Sequence, residues 1–530
     1  MNNEKNTRLQ LLNSDWDLII IGGGITGAGI FRMASQVGWK ALLVDQSDFS
    51  YGTSSRSSKM VHGGLRYLKN LQFNVTYESI REREKLLKEA SNIVTPLKFI
   101  FPLYEEYHTS PLKLGFSLFI YDSFAHKRAH GKIAQDEVYQ LNPSLRKSGF
   151  IQNFYYFDAL VDDARLVYRN IQEGIDYGGT ALNYTKVERL LSTQAGHIYG
   201  VALRDCSTDS NTTTEVFAKV IVNATGPWTD EIRKHINVKP IIRKLRGSHL
   251  IFSSARFPIS NAFSIFHPDD GRSLFIIPWE GSTLIGTTDL DHSPEYEIKS
   301  PEPFCTSQET SYLIRAANYF FPDYELSEKD LLATFSGIRP VINTGKSNPS
   351  KESRAHVILE ENGLITITGG KLTTYHKMAK DVLSRISARV KKEAIQNLFN
   401  QPVLDPLEER NIKDISPEKR NKLLGRYGNT VYQFLENSNA KEMEMIPGTT
   451  YMWAEVRWAA RYENIIHLDD LLLRRLRLGL LSQQGGVSYI NQLKPIVMHE
   501  LGWNETKWNH EVTRYKNIWN DCYYLQDLKK

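Results

Sequence analysis

The residues with the clearest chemical meaning form a glycine-rich turn near the start of the chain. Residues 17–29 read DLIIIGGGITGAG, an apolar run that enters a glycine cluster, after which a helix can begin at Ile25. Gly22, Gly24 and Gly27 fit the pattern G-x-G-x-x-G, whose glycines allow a tight turn, close approach to a pyrophosphate and close packing of a helix on a strand. The N–H groups of the helix N-terminus would then bind the phosphates.

An acidic residue follows this turn at a suitable distance. A second apolar run, 41–44, leads into Asp45, close to the roughly 20 residues after the glycines at which a carboxylate binds the ribose of a dinucleotide. Together these residues predict a site for a cofactor that contains ADP, with NAD and FAD both open. The alternative is an ordinary tight turn between a strand and a helix.

Three later stretches could bind the rest of such a cofactor. Residues 52–67 read GTSSRSSKMVHGGLRY, which suits a loop wrapped around a ligand or else a solvated serine-rich loop. Residues 220–228 form a strand that ends in a small-residue turn, where ligands bind in open α/β sheets. The sequence GGKLT at 369–373 puts a lysine and a helix N-terminus at a strand end, which stabilises negative charge. Leu372 excludes a Walker A loop there, because the lysine of that motif is followed by Ser or Thr.

Cationic side chains could bind an anionic substrate. Arg339, Arg354 and Lys371 could clamp a phosphate because arginine offers rigid forked donors. Spacing alone does not show that they converge, and the alternative for each of them is an ordinary surface position. The motifs H-E-x-x-H, G-x-S-x-G, C-x-x-C and the EF-hand loop are absent from the sequence. The sequence therefore predicts no metal site and gives no local support to a serine nucleophile or a dithiol.

The chain is long enough for two or three domains that would hold these residues in place. It has 530 residues, 41% of them hydrophobic, and three widely spaced cysteines that favour a reducing compartment over a disulfide framework. We recognise no signal peptide and no apolar run long enough to span a bilayer. The net charge of +5 is compatible with an anionic substrate or lipid surface and is too small to argue for nucleic acid.

The pattern of apolar residues predicts an α/β fold with a separate antiparallel layer and a helical C-terminal part. Short β-rich runs separated by turns over 248–289 indicate the antiparallel sheet. The other predicted elements are strands at 18–21, 41–44 and 364–368, helices at 76–90 and 373–386, a linker at 400–417 and a helix-rich segment at 453–481.

Several of these motifs occur together in one known family. In chain order they are IGGGITGAG, GTSSRSSKMVHGGLRYL, NATGPW, RGSHL, FIIPW with IGTTD, GIRP, SRAHVI and TGGKLTTY, from about residue 17 to 376. The chain resembles the FAD-dependent glycerol-3-phosphate dehydrogenases, within the D-amino-acid-oxidase-like flavoproteins. The resemblance implies a Rossmann-like FAD-binding domain (14–90, 150–240 and 335–395), an antiparallel-sheet substrate domain (91–149 and 241–334) and a C-terminal helical domain (400–530).

The resemblance also implies roles for individual residues. Those implied to hold FAD are Gly22, Gly24, Ile25, Thr26, Gly27, Asp45, Thr53, Ser54, Ser55, Ser57, His62, Gly63, Gly64, Val187, Gly226, Lys371, Leu372 and Thr373. Those implied to bind the substrate are Arg66, Tyr67, His249, Arg339, Arg354 and Lys371.

The implied reaction transfers a hydride from C2 of sn-glycerol 3-phosphate to the flavin and yields dihydroxyacetone phosphate. His249 is the candidate base for the proton of the C2 hydroxyl, because a histidine titrates near neutral pH. Arg66 is the alternative base, but a guanidinium almost never loses its proton, so Arg66 is better suited to orient and stabilise the alkoxide.

The family further implies a quinone as electron acceptor and a cytoplasmic protein that is peripheral on the inner face of the cytoplasmic membrane. Two segments could contact the membrane: 112–120, where Lys113 stands amid Leu and Phe, and the basic run 474–477. A buried helix or an ordinary charged face is the alternative for each. A homodimer, an oxygen-using glycerol-3-phosphate oxidase and an oxidase of another small hydroxy or amino acid also stay open.

Overall fold

The protein is described here from a computed structural model, which covers residues 8–12, 15–65, 72–107, 109–126, 129–208, 213–300, 302–346, 352, 354–390, 401–408, 410 and 415–525. The strands are β1 (Asp15–Ile21), β2 (Ala41–Val44), β3 (Met60–Val61), β4 (Val94–Tyr104), β5 (Gly131–Ile133), β6 (Phe150–Val161), β7 (Thr180–Leu182), β8 (Thr185–Ser192), β9 (Ile198–Asp205), β10 (Thr213–Asn223), β11 (Ile242–Ser253), β12 (Ala262–Phe266), β13 (Ser273–Trp279), β14 (Ser282–Gly286), β15 (Leu290–Asp291), β16 (Leu331–Ile342), β17 (His356–Glu361) and β18 (Leu364–Gly369).

The α-helices are α1 (Ile25–Gln36), α2 (Phe73–Glu89), α3 (Pro111–Ala125), α4 (Gln135–Leu141), α5 (Asp163–Asp176), α6 (Thr229–Arg233), α7 (Pro294–Lys299), α8 (Ser307–Phe320), α9 (Tyr375–Val390), α10 (Pro417–Tyr427), α11 (Val431–Glu436), α12 (Trp453–Tyr462), α13 (Leu478–Leu481), α14 (Ile490–Leu501) and α15 (Glu505–Cys522). A π-helical turn, Asp470–Arg475, lies between α12 and α13.

The smaller sheet carries the glycine turn. Its order is β17-β18-β10-β1-β2-β7, with β9 beside β10 and β8 beside β9. β18, β10, β1, β2 and β7 are mutually parallel, and all four residues of β2 are buried, as a strand covered on both faces requires. Because the carboxyl ends of parallel strands share one edge, the turns that follow β1, β2, β10 and β18 meet there.

The larger sheet is the predicted antiparallel layer. Its order is β16-β11-β14-β13-β12-β4-β6-β3, with β15 also on β11 and β5 on β6. The expected meander over 248–289 is confirmed as β11 to β14. Phe150–Val161, expected to belong to the FAD-binding domain, pairs in this sheet. So does Leu331–Ile342, which crosses the expected boundary between residues 334 and 335. Each has 12 residues, long enough to reach from one layer towards the other.

Helices cover the smaller sheet and bury its apolar side chains. α5 and α9 pack against α1, and residues such as Phe31, Leu43, Leu166 and Val382 form one buried cluster between them. Together with the antiparallel layer and the helical C-terminal part, this confirms the α/β class expected from the sequence. Among the described residues, no helix is long and apolar enough to cross a bilayer.

Buried ion pairs tie the C-terminal part to the smaller sheet. Asp48, which follows β2, accepts from Arg474 at 2.5 Å and from Arg475 at 2.8 and 2.9 Å. Burial alone would raise the pKa of Asp48, but the guanidinium groups of Arg475 and Arg474 hold that pKa below its usual value. Arg477 pairs in the same way with Asp163 at 2.6 Å.

This arrangement corrects one expectation about the membrane. Arg474, Arg475 and Arg477 are each 1–2% exposed and bonded to buried carboxylates. The basic run 474–477 is therefore unable to contact a lipid surface. In the sequence this run looks like a charged surface, because its partners, Asp48 and Asp163, lie hundreds of positions away in the chain. In the structure the charges are buried.

Replacement of Arg475 by Met should lower the free energy of unfolding by about 3 kcal/mol, since removing one partner leaves a buried carboxylate poorly compensated. Urea-induced unfolding measures this change. Arg189→Met is the matched control, because the Arg189–Glu215 pair is exposed and should contribute less than about 1 kcal/mol. Equal effects of the two substitutions would contradict a structural role for the buried pair.

Candidate active site

One cavity of about 770 Å³ gathers most of the predicted site residues. It begins where β1, β2, β10 and β18 end and continues along the larger sheet. The predicted residues that line it are Gly22, Gly24, Ile25, Thr26, Asp45, Thr53, Ser54, Ser57, His62, Gly64, Val187, Gly226, His249, Arg339, Arg354, Lys371, Leu372 and Thr373.

Three predicted residues stand behind this wall and shape it. A Cβ on Gly27 would lie 1.8 Å from the carbonyl oxygen of Gly22, so the third glycine serves the close packing of helix on strand. The Ser55 carbonyl and the Gly63 N–H bind side chains of the protein itself. These three residues are not among those that line the cavity, and their role in holding the cofactor stays a prediction.

The N-terminus of α1 is open towards the cavity. Its N-cap is Gly24, which has no side chain to cap the helix, and the Ile25 N–H donates to Ser54 Oγ at 2.9 Å. Gly22 has φ +111°, a backbone conformation that favours glycine. Gly24 and Thr26 line the cavity, so backbone N–H groups and the positive end of the helix dipole are available to an anion.

Asp45 occupies the end of the neighbouring strand β2. Its carboxylate accepts from the Gly23 N–H at 2.7 Å and from the Ser47 N–H at 2.9 Å. Burial raises the pKa of Asp45 to about 7, and those two N–H groups oppose the rise. The side chain is therefore fixed in place, and the two N–H donors offset only part of the cost of burying its negative charge.

The hydroxyl-rich loop is anchored from both sides. Thr53 Oγ1 donates to the Ile338 carbonyl, and the Ser57 N–H and Oγ donate to Asp163 Oδ2 at 3.1 and 2.7 Å. Lys59, which is fully buried, donates to the same carboxylate at 3.0 Å. The loop is thus held in shape before any ligand arrives, which lowers the entropic cost of binding.

The two predicted arginines do converge. Arg339 Nη1 lies 3.0 Å from Asp289 Oδ1, and Arg354 Nη2 lies 3.4 Å from Asp289 Oδ2. Arg339 also donates to Thr287 Oγ1 at 2.8 Å. Asp289 is 4% exposed and lines the cavity, yet no role was expected for it. Its position at the end of the motif IGTTD was the available signal.

Lys371 lines the same cavity from the end of β18. Its Nζ donates to Ser79 Oγ on α2 at 2.7 Å. Two residues further on, Thr373 Oγ1 accepts from the His62 N–H at 3.2 Å. This segment therefore ties the parallel sheet to the loop that follows β3 and closes the cavity between them.

His249 stands on β11 and forms a pair with Ser58. Its Nε2 lies 2.8 Å from Ser58 Oγ, and its ring stacks on Phe335 with centroids 4.6 Å apart. Burial, together with the positive charges of Arg339 and Lys59, lowers the pKa of His249 well below its usual value. These effects favour the neutral form of the imidazole. Arg66 and Tyr67, expected beside it, lie outside the described residues.

Comparison with known proteins places this fold and cavity in a class. Residues 17–376, more than half of the chain, match the family model "FAD dependent oxidoreductase", and residues 365–508 match "C-terminal domain of alpha-glycerophosphate oxidase". The chain therefore belongs to the family of FAD-dependent oxidoreductases. Within that family, it belongs to the aerobic glycerol-3-phosphate dehydrogenases, on the strength of the relatives that follow.

The aerobic glycerol-3-phosphate dehydrogenase of Staphylococcus aureus is 38% identical over 389 residues, which cover 72% of this chain and 69% of the relative. The glycerol-3-phosphate dehydrogenase from Bacillus halodurans, solved with FAD, has a TM-score of 0.72 at 26% identity and aligns over 97% of this chain and 96% of its own. The L-alpha-glycerophosphate oxidase of Mycoplasma pneumoniae, at 15% identity and a TM-score of 0.55 over 74% of this chain and 97% of its own, shares the fold.

The cavity fits the FAD of this family. The open N-terminus of α1 suits the pyrophosphate. The fixed carboxylate of Asp45 suits ribose hydroxyls, which would donate hydrogen bonds to it in addition to those from the two backbone N–H groups. Gly226 has φ +57°, and no atom lies within 4 Å of the position that a Cβ would take there. This open space lets the ligand approach the end of β10.

FAD should bind more weakly as the pH falls below about 7, because the pKa of Asp45 is about 7 and the carboxylate form accepts the ribose hydroxyls. The dissociation constant should rise by up to about tenfold per pH unit below that pKa and stay level above it. Flavin fluorescence measures it. Asp45→Asn should remove the dependence, and Asp17→Asn, at the far end of the preceding strand, should keep it. A slope that persists in Asp45→Asn would contradict the assignment.

Proposed function

We propose that this protein oxidises sn-glycerol 3-phosphate to dihydroxyacetone phosphate with FAD and passes the electrons to a quinone at a membrane surface. The observation that carries the proposal is one cavity that joins a dinucleotide cradle to a pair of converging arginines. The names of the relatives agree with this substrate.

The residues divide by position along the cavity. Gly22 to Thr26 and Asp45 would hold the ADP half of the cofactor, and Val187 would lie against the adenine. The loop around His62 and the segment Lys371 to Thr373 would hold the flavin, which accepts a hydride when bound. The lysine and the helix N-terminus behind it would stabilise negative charge at that end.

Arg339 and Arg354 are the proposed phosphate-binding pair. The two guanidinium groups meet at one carboxylate, Asp289, and Lys371 lines the same cavity. Forked guanidinium donors favour a phosphate, which offers several oxygen acceptors and up to two negative charges. Arg66 and Tyr67 are proposed, from the resemblance, to bind the substrate hydroxyls.

His249 is the proposed base, and the substrate itself would adjust it. In the protein alone, burial and Arg339 lower its pKa, which makes the imidazole a weak proton acceptor. A phosphate dianion on Arg339 would offset that positive charge and raise the pKa of His249 towards the range that general base catalysis needs. The proton of the substrate hydroxyl would then pass to the Ser58–His249 pair.

The proposal is tested by anaerobic addition of glycerol 3-phosphate to the purified holoenzyme while the flavin absorbance is recorded. Bleaching is the expected result. Small hydroxy and amino acids at the same concentration serve as controls and should leave the spectrum unchanged. Reoxidation by quinone analogues should then exceed reoxidation by oxygen. An unbleached flavin would overturn the proposed substrate, and faster reoxidation by oxygen would overturn the acceptor.

Arg339→Lys should raise the KM for glycerol 3-phosphate by about 10- to 100-fold, because a charge-assisted forked contact contributes about 1.5–3 kcal/mol. FAD affinity should change by less than about twofold. Steady-state kinetics and flavin titration measure the two quantities. Arg256→Lys is the matched control, because Arg256 pairs with Asp330 outside the cavity. An unchanged KM in Arg339→Lys would contradict the phosphate assignment.

α3 is the proposed membrane contact, as one of the two segments expected from the sequence. Ser110 caps it by accepting from the Lys113 N–H, with Pro111 at its first position. Leu112, Phe116 and Phe119, at helical spacing, are 87%, 64% and 58% exposed. This apolar face could bury its side chains at a lipid surface without crossing it.

Leu112→Ser combined with Phe116→Ser should weaken binding to phospholipid vesicles by at least about tenfold, because burying a large apolar side chain contributes about 1.5–3 kcal/mol. Co-sedimentation of the holoenzyme with vesicles measures this. Ile298→Ser is the matched control, since Ile298 is also 87% exposed but lies on α7. Equal binding of the two variants would rule out α3 as the contact.

A further inference from the structure

The cavity has a branch that cofactor and phosphate do not account for. Its lining includes Phe275, Phe101 and Phe266 from the larger sheet and Ser117 and Lys113 from α3. Lys113 is exposed, so the cavity reaches the surface beside this helix. We name the part lined by Phe275, Phe101, Phe266, Tyr156, Ser117 and Lys113 the aromatic branch.

We propose that the aromatic branch is the passage by which a lipid-soluble quinone reaches the cofactor. This inference rests on the proposed function, which requires an electron acceptor, and goes beyond it by assigning the acceptor a site. The occupant has a flat ring with two carbonyl oxygens and a long apolar tail. The ring would lie among the aromatic walls of the branch, the carbonyl oxygens would meet its polar groups, and the tail would extend towards lipid beside α3.

The walls of the branch suit a flat ring. His62 and Phe275 have ring centroids 6.3 Å apart, Phe99 meets Phe275 edge to face at 5.5 Å, and Phe101 meets Phe266 in the same way at 5.5 Å. These distances are typical of aromatic contacts, and a further ring could extend the series. Phe275 thus connects a ring of β4 to His62, in the loop that is proposed to hold the flavin.

The branch also holds a few polar groups. Ser264, Ser117 and Thr109 line it with hydroxyl groups, among apolar neighbours. A small number of placed donors in an otherwise aromatic slot is the usual composition of a site for a small apolar molecule with carbonyl oxygens. Tyr156 and Lys113 add a phenol and an ammonium group to the same lining.

The helix at the mouth connects the branch to lipid. Leu114 on α3 lines the cavity and is buried, whereas Leu112 and Phe116 on the other side of the same helix are exposed. An α-helix is only about 10 Å across. An apolar molecule dissolved in a membrane that touches the outer face of α3 would therefore enter the branch with little exposure to water.

The charged end of the cavity lies away from this mouth. Arg339 is on β16 and Phe101 on β4, and β11, β14, β13 and β12 stand between these two strands. At about 4.8 Å per strand, they are separated by roughly 24 Å along the sheet. The phosphate site and the aromatic branch thus approach the cofactor region from different directions, so an anionic substrate and an apolar acceptor need not share an entrance.

The experiment compares Ser117→Trp with Ser123→Trp in the full-length holoenzyme. The two serines are matched, because both lie on α3 and each donates to the carbonyl four residues earlier, but only Ser117 lines the cavity. Stopped-flow absorbance gives the rate of flavin bleaching by glycerol 3-phosphate. It also gives the rate of reoxidation by a long-tailed quinone in vesicles and by ferricyanide in water.

Ser117→Trp should slow reoxidation by the quinone at least about tenfold, since filling a passage displaces the ring from its reactive position. Bleaching, reoxidation by ferricyanide and vesicle binding should change by less than about twofold, as should every rate in Ser123→Trp. Unchanged reoxidation by the quinone in Ser117→Trp would overturn the inference. Slower bleaching by glycerol 3-phosphate would do so as well, because the branch would then admit the substrate.

A second measurement separates this inference from the proposed function. A photoreactive quinone analogue, bound to the holoenzyme without substrate, should label peptides that contain Phe101, Ser117 or Phe266, and Ser117→Trp should reduce the labelling. If the wild type is not bleached by glycerol 3-phosphate but these peptides are labelled, the substrate proposal fails and the branch stands. Labelling elsewhere would reject the branch, whatever the substrate.

Discussion

The parallel pairing of β1, β2, β10 and β18 is the constraint on which the rest of this structure depends. It brings four strand ends to one edge, and the glycine turn, Asp45, Gly226 and Lys371 each follow one of those strands. The glycine turn supplies the N-terminus of α1, Asp45 supplies a fixed acceptor and the turn after β18 supplies Lys371. Buried strands of Val, Ile and Leu hold this edge rigid, so the cradle exists before the ligand binds.

Buried ion pairs hold together the segments that do not pair in either sheet. Asp163 at the start of α5 binds Ser57, Lys59 and Arg477 at once, which joins the hydroxyl-rich loop to the C-terminal part. Asp48 does the same for the segment after Asp45. Such buried pairs add little net stability compared with apolar residues in the same positions. A buried charge left without its partner would be strongly destabilising, however, so the pairs favour the one arrangement in which all of them form. The helical C-terminal part therefore helps to set the shape of the cavity.

The cavity combines two environments that would conflict if they overlapped. Its arginine end carries positive charge held in place by Asp289, and its other end is lined with aromatic rings and opens beside an apolar helix. Charged and lipid-soluble molecules can approach one cofactor only if their routes differ, because an apolar route strongly disfavours an unpaired charge. The larger sheet keeps the two ends apart, with four strands between them.

The sequence by itself determined the cradle, because the spacing of Gly22, Gly24, Gly27 and Asp45 is a local backbone requirement, and the motif series through TGGKLTTY identified the family. It also predicted most elements, since apolar periodicity reflects burial within a segment. Only the tertiary structure decided which charges meet. It paired Asp289 with both arginines and buried the run 474–477 that reads as a basic surface. It also exposed one face of α3, whose apolar residues are spread around the helix, so that the sequence does not indicate which face is covered. Such outcomes depend on partners far away in the chain, and local patterns carry no record of them.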